Sequence, residues 1–449
     1  MRVIITISVA VVLSGCAQQS PITRDLTTNL PDKYARVSPV TAPNTAQLDW
    51  WTHFDDPVLS TLVQKGLSNN LSIAQARARL REAEANARRA RGGILSGNAE
   101  LNATKNRPGA NTKGAELGLT LNLAGADYRR TQAAIDRLEA SRIGTDDAMR
   151  LVLSEIAVTY LNLRFQQQIL RTRQQDLASR RRTVSEVEKQ VNAGVATRLD
   201  QLRTASLAAE TRVELPQIEA EILRQRNRVS TLLGVPVGTL GINLEYPGRQ
   251  PLPKQGIDLG IPADLLRARP DIRQAERLYA AAISDLEAAK AERYPSLSLS
   301  GVLSSPISGG PSSSSLVAGL VLPVFNQPAL AAEVDATQAR INQAYLQWRI
   351  AVLNAVEEVE TAQAALRTNT TARNAAREVV AMNEEALLLS RRLLTSRGNI
   401  TVLDVVDRER ALSASRAALA QNTRDLAISY VQLRTALGQG HALTATPDS

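Results

Sequence analysis

The chain has 449 residues, a formal net charge of +9 and only 3% aromatic residues. Alanine, leucine, arginine and glutamate dominate, which favours long helices over a β-sandwich or an α/β enzyme. The arginines are interspersed with acidic residues along helical segments, so we expect the positive charge on solvated helix faces. No glycine-rich phosphate loop or basic–aromatic patch indicates nucleic-acid binding.

The N-terminus predicts an export signal. Arg2 precedes an apolar run at residues 3–12, and small residues lead up to Cys16. This pattern predicts a signal peptide over residues 1–15, and the run is too short to span a bilayer as a helix. Cys16 is the only cysteine, so no intramolecular disulfide can form. A buried free cysteine is the alternative interpretation of Cys16, but its position directly after the apolar run argues against it.

The next stretch predicts a tether followed by a first helical repeat. Residues 16–48 are rich in proline, threonine and asparagine and show no periodicity, which is typical of an extended tether. Trp50 and Trp51 need a packing surface, and we interpret them as core residues without chemistry. We divide the remainder into a first repeat at 49–250, a second repeat at 251–440 and a tail at 441–449.

Proline spacing predicts two very long helices. No proline occurs between Pro108 and Pro216, or between Pro328 and Pro447. Helical patterns run from about residue 126 to 191 and from about 333 to 395, each roughly 95 Å long at 1.5 Å per residue. After each long helix the sequence predicts a shorter helix that runs back along it, ending at about residue 233 in the first repeat and at about residue 437 in the second. Helices of this length need partners, so the sequence predicts helical hairpins that pack side by side.

Each repeat also carries alternating apolar and polar residues ahead of its long helix. The sequence predicts one β-hairpin at about 94–124 and another at about 295–325, joined by turns rich in glycine, proline, serine and asparagine. Strands of this kind suit a membrane β-barrel, although a half-buried soluble hairpin is the simpler alternative. Four strands cannot close a barrel, and an open edge is not tolerated in lipid. Four strands in a membrane therefore require an oligomer, and a trimer would give twelve.

An internal duplication links the two halves. Gly194 and Gly398 are 204 residues apart, and the same offset aligns Thr197 with Thr401 and Asp200 with Asp404. Each copy places a glycine-bearing break between two helical patterns. The sequence therefore predicts two related hairpins with tight tips.

Several motifs in this order resemble one family. They are LSGC ending at Cys16, WWTHFDDPVLSTLVQKGLSNNLSIAQA at 50–76, GVATRLDQL at 194–202, LLGVP at 232–236, IPADLLRARPDIRQAE at 261–276 and GNITVLDVVD at 398–407. The chain resembles the TolC-like outer-membrane efflux proteins, in the lipoprotein branch that serves resistance-nodulation-division (RND) pumps. The first hairpin departs from the family pattern, since it lacks the tyrosine–proline start kept at Tyr294 and Pro295.

The resemblance implies a mainly α fold with membrane β-strands. In this family a homotrimer forms a twelve-stranded transmembrane barrel, four strands per chain, continued by a periplasmic α-helical barrel. It also implies cleavage before Cys16, lipid including palmitate on that residue, and a location in the bacterial outer membrane and periplasm. The expected partners are two further copies, outer-membrane lipid, a periplasmic adaptor and an inner-membrane RND pump.

The function implied is a passive exit duct for drugs or other small toxic compounds, gated at its periplasmic helix tips. No catalysis or cofactor is expected beyond the lipid, because His53 and His441 lie far apart and no metal-ligand or nucleophile–base spacing occurs. A type I secretion outlet and a periplasmic adaptor lipoprotein remain as alternative functions.

The gate is expected at the second tip. The resemblance places the constriction at Asp407, Asp404 and Leu403. A trimer would bring the carboxylates into a ring that favours cations, with each raising the pKa of the others. The alternative is a capping box, Thr-x-x-Asp, which explains Asp404 and its twin Asp200 without a pore. It does not explain Asp407, whose twin position holds Arg203.

The tip loops at residues 192–197 and 396–401 should also contact the adaptor, since they lie at the exposed ends of the hairpins. The residues expected to do so are Gly194, Val195, Thr197, Gly398, Ile400 and Thr401.

Overall fold

The structure is a computed structural model that describes residues 49–92, 96–105, 112–121, 124–245, 248–254, 269–307, 310–395 and 400–440. The expected signal peptide, Cys16, the tether and the tail after residue 440 lie outside the described residues. The described part is dominated by helices, as the composition predicts.

The helices follow the predicted hairpin pattern. They are α1 (Pro57–Asn69), α2 (Leu71–Gly92), α3 (Ala126–Asn192), α4 (Arg198–Leu232), α5 (Pro270–Ala291), α6 (Gln327–Thr395) and α7 (Val402–Ala436), with a short 3₁₀-helix, Trp50–Phe54, ahead of α1. The long helices α3 and α6 contain 67 and 69 residues. Helix α6 begins ahead of the predicted residue 333, because Pro328 is tolerated in a first turn, where its missing N–H has no helical partner.

The strands form one antiparallel sheet. They are β1 (Ser96–Thr104), β2 (Thr112–Leu121), β3 (Ser296–Pro306) and β4 (Ser313–Val321), in the spatial order β1-β2-β3-β4. The two hairpins predicted separately are therefore joined by pairing of β2 with β3, from Thr112 opposite Pro306 to Leu121 opposite Leu297. Serines that the sequence assigned to a turn extend β3 and β4, since ladder pairing outweighs their weak strand propensity.

The chain divides into two compact units. The sheet unit contains the described residues of 77–145 and 271–352, and the hairpin unit contains those of 49–76, 146–270 and 353–440. Neither unit coincides with a sequence repeat, because each repeat contributes strands or helix segments to both. The unit boundaries fall inside the helices α2, α3 and α6 and after the first residue of α5.

In the sheet unit, charge pairs and an aromatic cluster hold the helices together. Arg129 of α3 lies 2.6 Å from Glu287 of α5, Arg137 pairs with Asp285 of α5, and Arg130 pairs with Glu292 directly after this helix. Between α5 and α6, Tyr279 is buried with Leu286 and Ile341. These contacts position α5 and α6, which lead into and out of the second β-hairpin.

The hairpin unit contains the largest apolar core. Trp50 and Trp51 are buried in it, as their interpretation as packing residues requires, together with Leu59, Tyr160 and Tyr430. The start of α1 is fixed by Asp56, whose carboxylate accepts hydrogen bonds from the N–H groups of residues 58 and 59. This core forms a fixed base for the four long helical segments that end at the tips.

Candidate functional site

The first hairpin tip is short and tightly turned. It joins α3 to α4 through Gly194, which has φ +71°, a left-handed conformation that suits glycine. The Gln190 carbonyl accepts hydrogen bonds from the backbone N–H groups of Val195 and Ala196, at 2.8 and 3.2 Å, and so closes the end of α3. In the second tip, residues 396–399, which include Gly398, lie outside the described residues.

Both returning helices begin with a capping box. At the second tip, the Asp404 carboxylate accepts hydrogen bonds from the backbone N–H of Thr401 at 2.8 Å and from its hydroxyl at 2.7 Å. Thr401 in turn accepts from the Asp404 N–H at 3.3 Å. Thr197 and Asp200 make the same reciprocal contacts at the first tip. The capping interpretation of both aspartates is therefore confirmed.

The capping hydrogen bonds also affect the ionisation of the two aspartates. Hydrogen bonds from the Thr401 hydroxyl and then its backbone N–H lower the pKa of the Asp404 carboxyl, and Thr197 lowers the pKa of Asp200 in the same way. Both groups stay ionised at neutral pH. For Asp404 this effect opposes the increase in pKa that neighbouring carboxylates in an oligomer would cause.

Asp407, unlike Asp404, takes no part in the helix cap. Its side chain is 61% exposed, and its ion-pair partner is Arg410, one turn further on, at 3.9 Å. Leu403, Asp404 and Asp407 all lie on the exposed side of α7, whereas Val405 and Val406 are buried on the other. The structure thus places the three expected gate residues on one solvent-facing stripe of the returning helix.

Five of the six expected adaptor contacts lie in the described residues, and four of these five are exposed. Val195 is 78% exposed, and Gly194, Thr197 and Thr401 are exposed as well, while Ile400 is half-buried. The first tip therefore presents a few small or apolar groups on a capped turn.

Sequence reasoning missed a buried charged cluster between the two hairpins, made of residues from α3, α4, α6 and α7. Its centre is Glu409 of α7. One of its carboxylate oxygens, Oε1, accepts hydrogen bonds from Arg391 Nη2 at 2.6 Å, from Thr183 Oγ1 at 2.8 Å and from Ser179 Oγ at 3.2 Å. The other oxygen, Oε2, is buried and has no hydrogen-bond partner among the described residues.

The rest of the cluster continues along α3. Asp176 accepts a hydrogen bond from the Ser413 hydroxyl of α7 at 2.6 Å, and Arg173 Nε lies 2.8 Å from Glu214 of α4. Arg180 donates to the Leu207 carbonyl at 3.2 Å and to the Thr211 hydroxyl, and burial lowers the pKa of its guanidinium. The three arginines, Arg173, Arg180 and Arg391, match the three acids, so the cluster is close to neutral overall.

A comparison of the two repeats could have predicted this cluster from the sequence. At the 204-residue offset, Arg391 aligns with Val187, Asp176 with Val380 and Thr183 with Leu387. All three twins are buried apolar residues. A polar residue in one repeat whose twin is an apolar core residue indicates that the two repeats differ in function or packing at that position. A comparison of the two repeats would therefore have identified this cluster.

Among the described residues, no helix is both apolar and long enough to cross a bilayer. Nor does that part of the chain hold three or more potential metal ligands in one group.

Long paired helical hairpins with capped tips, joined to a four-stranded antiparallel sheet, define a TolC-like channel protomer. The sequence matches the outer membrane efflux protein family over residues 62–235 and 261–439, once for each repeat. The chain therefore belongs to the outer membrane efflux protein family, and the resemblance noted from its motifs is confirmed. It is an outer-membrane efflux channel that extends into the periplasm, and not an enzyme.

Individual relatives match over nearly their whole length. Nodulation protein T of Rhizobium leguminosarum bv. trifolii is 31% identical, with 96% of each chain covered. The pyoverdine export outer membrane protein OpmQ of Pseudomonas aeruginosa is 28% identical over 98% of this chain and 97% of the relative. The structure of the outer-membrane channel OprN superposes with a TM-score of 0.81 at 25% identity, covering 91% of this chain and 99% of that one. The family match excludes the adaptor-lipoprotein alternative.

Proposed function

We propose that three copies of this chain form the exit duct of a tripartite efflux system, fed by an RND pump through a periplasmic adaptor. The observation that carries the proposal is the four-stranded sheet, whose outer strands β1 and β4 each leave one edge unpaired among the described residues. In lipid such edges need partners, so copies have to join edge to edge. Three copies give twelve strands, enough to close a barrel.

The gate of this duct is the exposed stripe on α7. In a trimer Asp407 appears three times around the axis, and Asp404 and Leu403 lie beside it. A ring of carboxylates attracts cations, and the side chains narrow the opening. Because Asp404 is occupied as a cap, Asp407 provides the carboxylate that is free to face the lumen.

Replacing Asp407 with alanine should open the gate. In planar bilayers we expect Asp407→Ala to raise single-channel conductance and to lower the preference for K⁺ over Cl⁻ by about fivefold, the effect of one unit charge roughly 4 Å from an ion in water. Asp200→Ala is the matched control, since it removes a capping aspartate from the first tip but no gate residue. Unchanged conductance and selectivity in Asp407→Ala would remove Asp407 from the gate.

The adaptor docks on the two tips, at Gly194, Val195 and Thr197 and at Gly398, Ile400 and Thr401. Val195→Asp places a charge on an apolar side chain of the first tip that is 78% exposed, and it should abolish co-purification of the adaptor while trimer yield stays normal. Val213→Asp is the control, since Val213 is also an exposed valine, at 66%, but lies on α4 away from the tip. Equal adaptor recovery with both variants would contradict docking at this tip.

Cys16 anchors the duct to the outer membrane through covalent lipid, as its position after the apolar signal supports. Metabolic labelling with palmitate should mark the wild-type chain and leave Cys16→Ser unlabelled. Equal labelling of both chains would contradict lipid attachment at this residue.

A further inference from the structure

The sheet has one apolar and one polar face. Residues that are register partners share a face, and successive residues alternate between faces. Leucines dominate the apolar face and are largely exposed in the single chain, with Leu101 at 86% and Leu316 at 75%. They pair across the strands with other small or apolar residues, as in Leu101 with Ala115 and Leu117 with Gly301. A membrane barrel turns such a face to lipid and the opposite face to water.

The polar face carries two glutamates at the same level. Glu100 of β1 is the direct register partner of Glu116 of β2. The other members of this face are mostly hydroxyl, amide or glycine residues: Asn98, Asn102, Gly114, Gly118, Ser298, Ser300, Ser304, Ser313 and Ser315. No lysine or arginine of the four described strands lies on it, since Lys113 alternates onto the apolar face. The charged groups of this face are thus all acidic.

The residues on either side allow the two glutamate side chains to project from the sheet. Asn98 Oδ1 lies 2.6 Å from the position that a Cβ would take on Gly118, and Asn102 Oδ1 lies 2.7 Å from the corresponding position on Gly114. Both asparagines therefore lie flat across glycines of the neighbouring strand. The pair formed by Glu100 and Glu116 lies between these two asparagine–glycine pairs. The two glutamates are therefore the long side chains of this part of the face.

The pairing carries an energetic penalty. Like charges directly opposite on neighbouring strands destabilise a sheet unless water or counterions screen them. Neither glutamate has an ion-pair partner among the described residues. Such an arrangement costs least where water and mobile cations reach both carboxylates, as in a water-filled lumen.

We propose that Glu100 and Glu116 set the cation preference of the outer-membrane segment of the duct. The inference rests on the proposed trimer, in which three copies of the pair place six carboxylates at one level of the lumen. They act independently of Asp407, which belongs to the hairpin unit and to the periplasmic tip. The barrel segment and the tip thus each select for positive charge, and cationic or neutral solutes are the class that leaves most readily.

The test measures reversal potentials of the purified full-length trimer in planar bilayers under a KCl gradient. The background carries Asp404→Asn and Asp407→Asn, which removes both carboxylates of the proposed gate. We expect this background to stay cation-selective, and adding Glu100→Gln with Glu116→Gln to lower the K⁺-to-Cl⁻ permeability ratio about fivefold. The loss should be smaller at high ionic strength, where salt screens the carboxylates.

Lys113→Gln is the matched control, since it neutralises a charge of the same hairpin on the opposite face and should leave the cation preference intact. Should the double glutamine variant fail to assemble, Glu100→Gln and Glu116→Gln are measured singly, and each should give an intermediate ratio. A permeability ratio unchanged by these substitutions overturns the proposal. A wild-type protein that forms no channels would instead contradict the proposed function, so the two failures are distinguishable.

Discussion

Replacing Arg391 with valine should destabilise the hairpin unit by about 3 kcal/mol, because removal of one partner leaves a buried carboxylate without its compensating charge. Glu409 is only 4% exposed, whereas Arg391 is 38% exposed. The arginine can therefore reach water when its partner is lost, but the glutamate cannot. We expect Arg391→Val to lower the denaturant midpoint of the purified trimer, followed by helical circular dichroism, more than Glu409→Ala does.

The duplication supplies the control for this pair. Valine and alanine are the residues that the first repeat carries at the twin positions, Val187 and Ala205. The double variant Arg391→Val with Glu409→Ala should recover much of the stability that Arg391→Val loses, because the buried carboxylate left without its partner is then removed as well. A double variant as unstable as the sum of the single variants would show that the two side chains act independently.

Replacing Arg269 with methionine should cost about 3 kcal/mol, because the carbonyl groups at the end of α7 lose a buried donor near a helix C-terminus. Arg269 is 1% exposed and donates to the Ala436 carbonyl at 2.7 Å and to Glu358 at 2.8 Å. Its side chain also lies against Gly438, whose added Cβ would come within 3.1 Å of Arg269 Cγ. Arg269→Lys should restore little, since an ammonium group cannot make both contacts in the same geometry.

Arg416 provides a comparison for Arg269. It also pairs with a glutamate of a neighbouring helix, Glu384, at 2.7 Å, but both side chains are substantially solvated. Arg416→Met should therefore cost less than about 1 kcal/mol. If urea denaturation gives the two methionine variants equal midpoints, the contact of Arg269 with the helix end contributes little to stability.

Local features of the chain were predictable from sequence. Long proline-free stretches predicted α3 and α6, and alternation of leucine with polar residues predicted the strands. The Thr-x-x-Asp pattern predicted both capping boxes, since a cap involves residues only three apart. Trp50 and Trp51 were correctly interpreted as core residues, because large aromatic side chains in a chain with few of them need a packing surface.

Long-range contacts were not predictable in the same way. The pairing of β2 with β3 joins residues nearly two hundred positions apart, and nothing in either hairpin specifies which edge meets the other. The bonds from Glu409 to Thr183 and from Ser413 to Asp176 likewise join helices of different repeats. Isolated glutamates and serines on a helix are usually solvated, so their burial emerges only when four helices meet.

The sequence by itself determined the class of this protein: a duplicated chain of long helical hairpins and amphipathic strands that belongs to the outer membrane efflux family. The sequence was sufficient for this because periodicity, caps and turns depend on residues within a few positions of one another. The tertiary structure alone decided which acids lie free, buried or paired. Asp404 serves a cap, Glu409 is held by Arg391, Glu100 faces Glu116, and Asp407 remains exposed, because burial and register depend on elements brought together from distant parts of the chain.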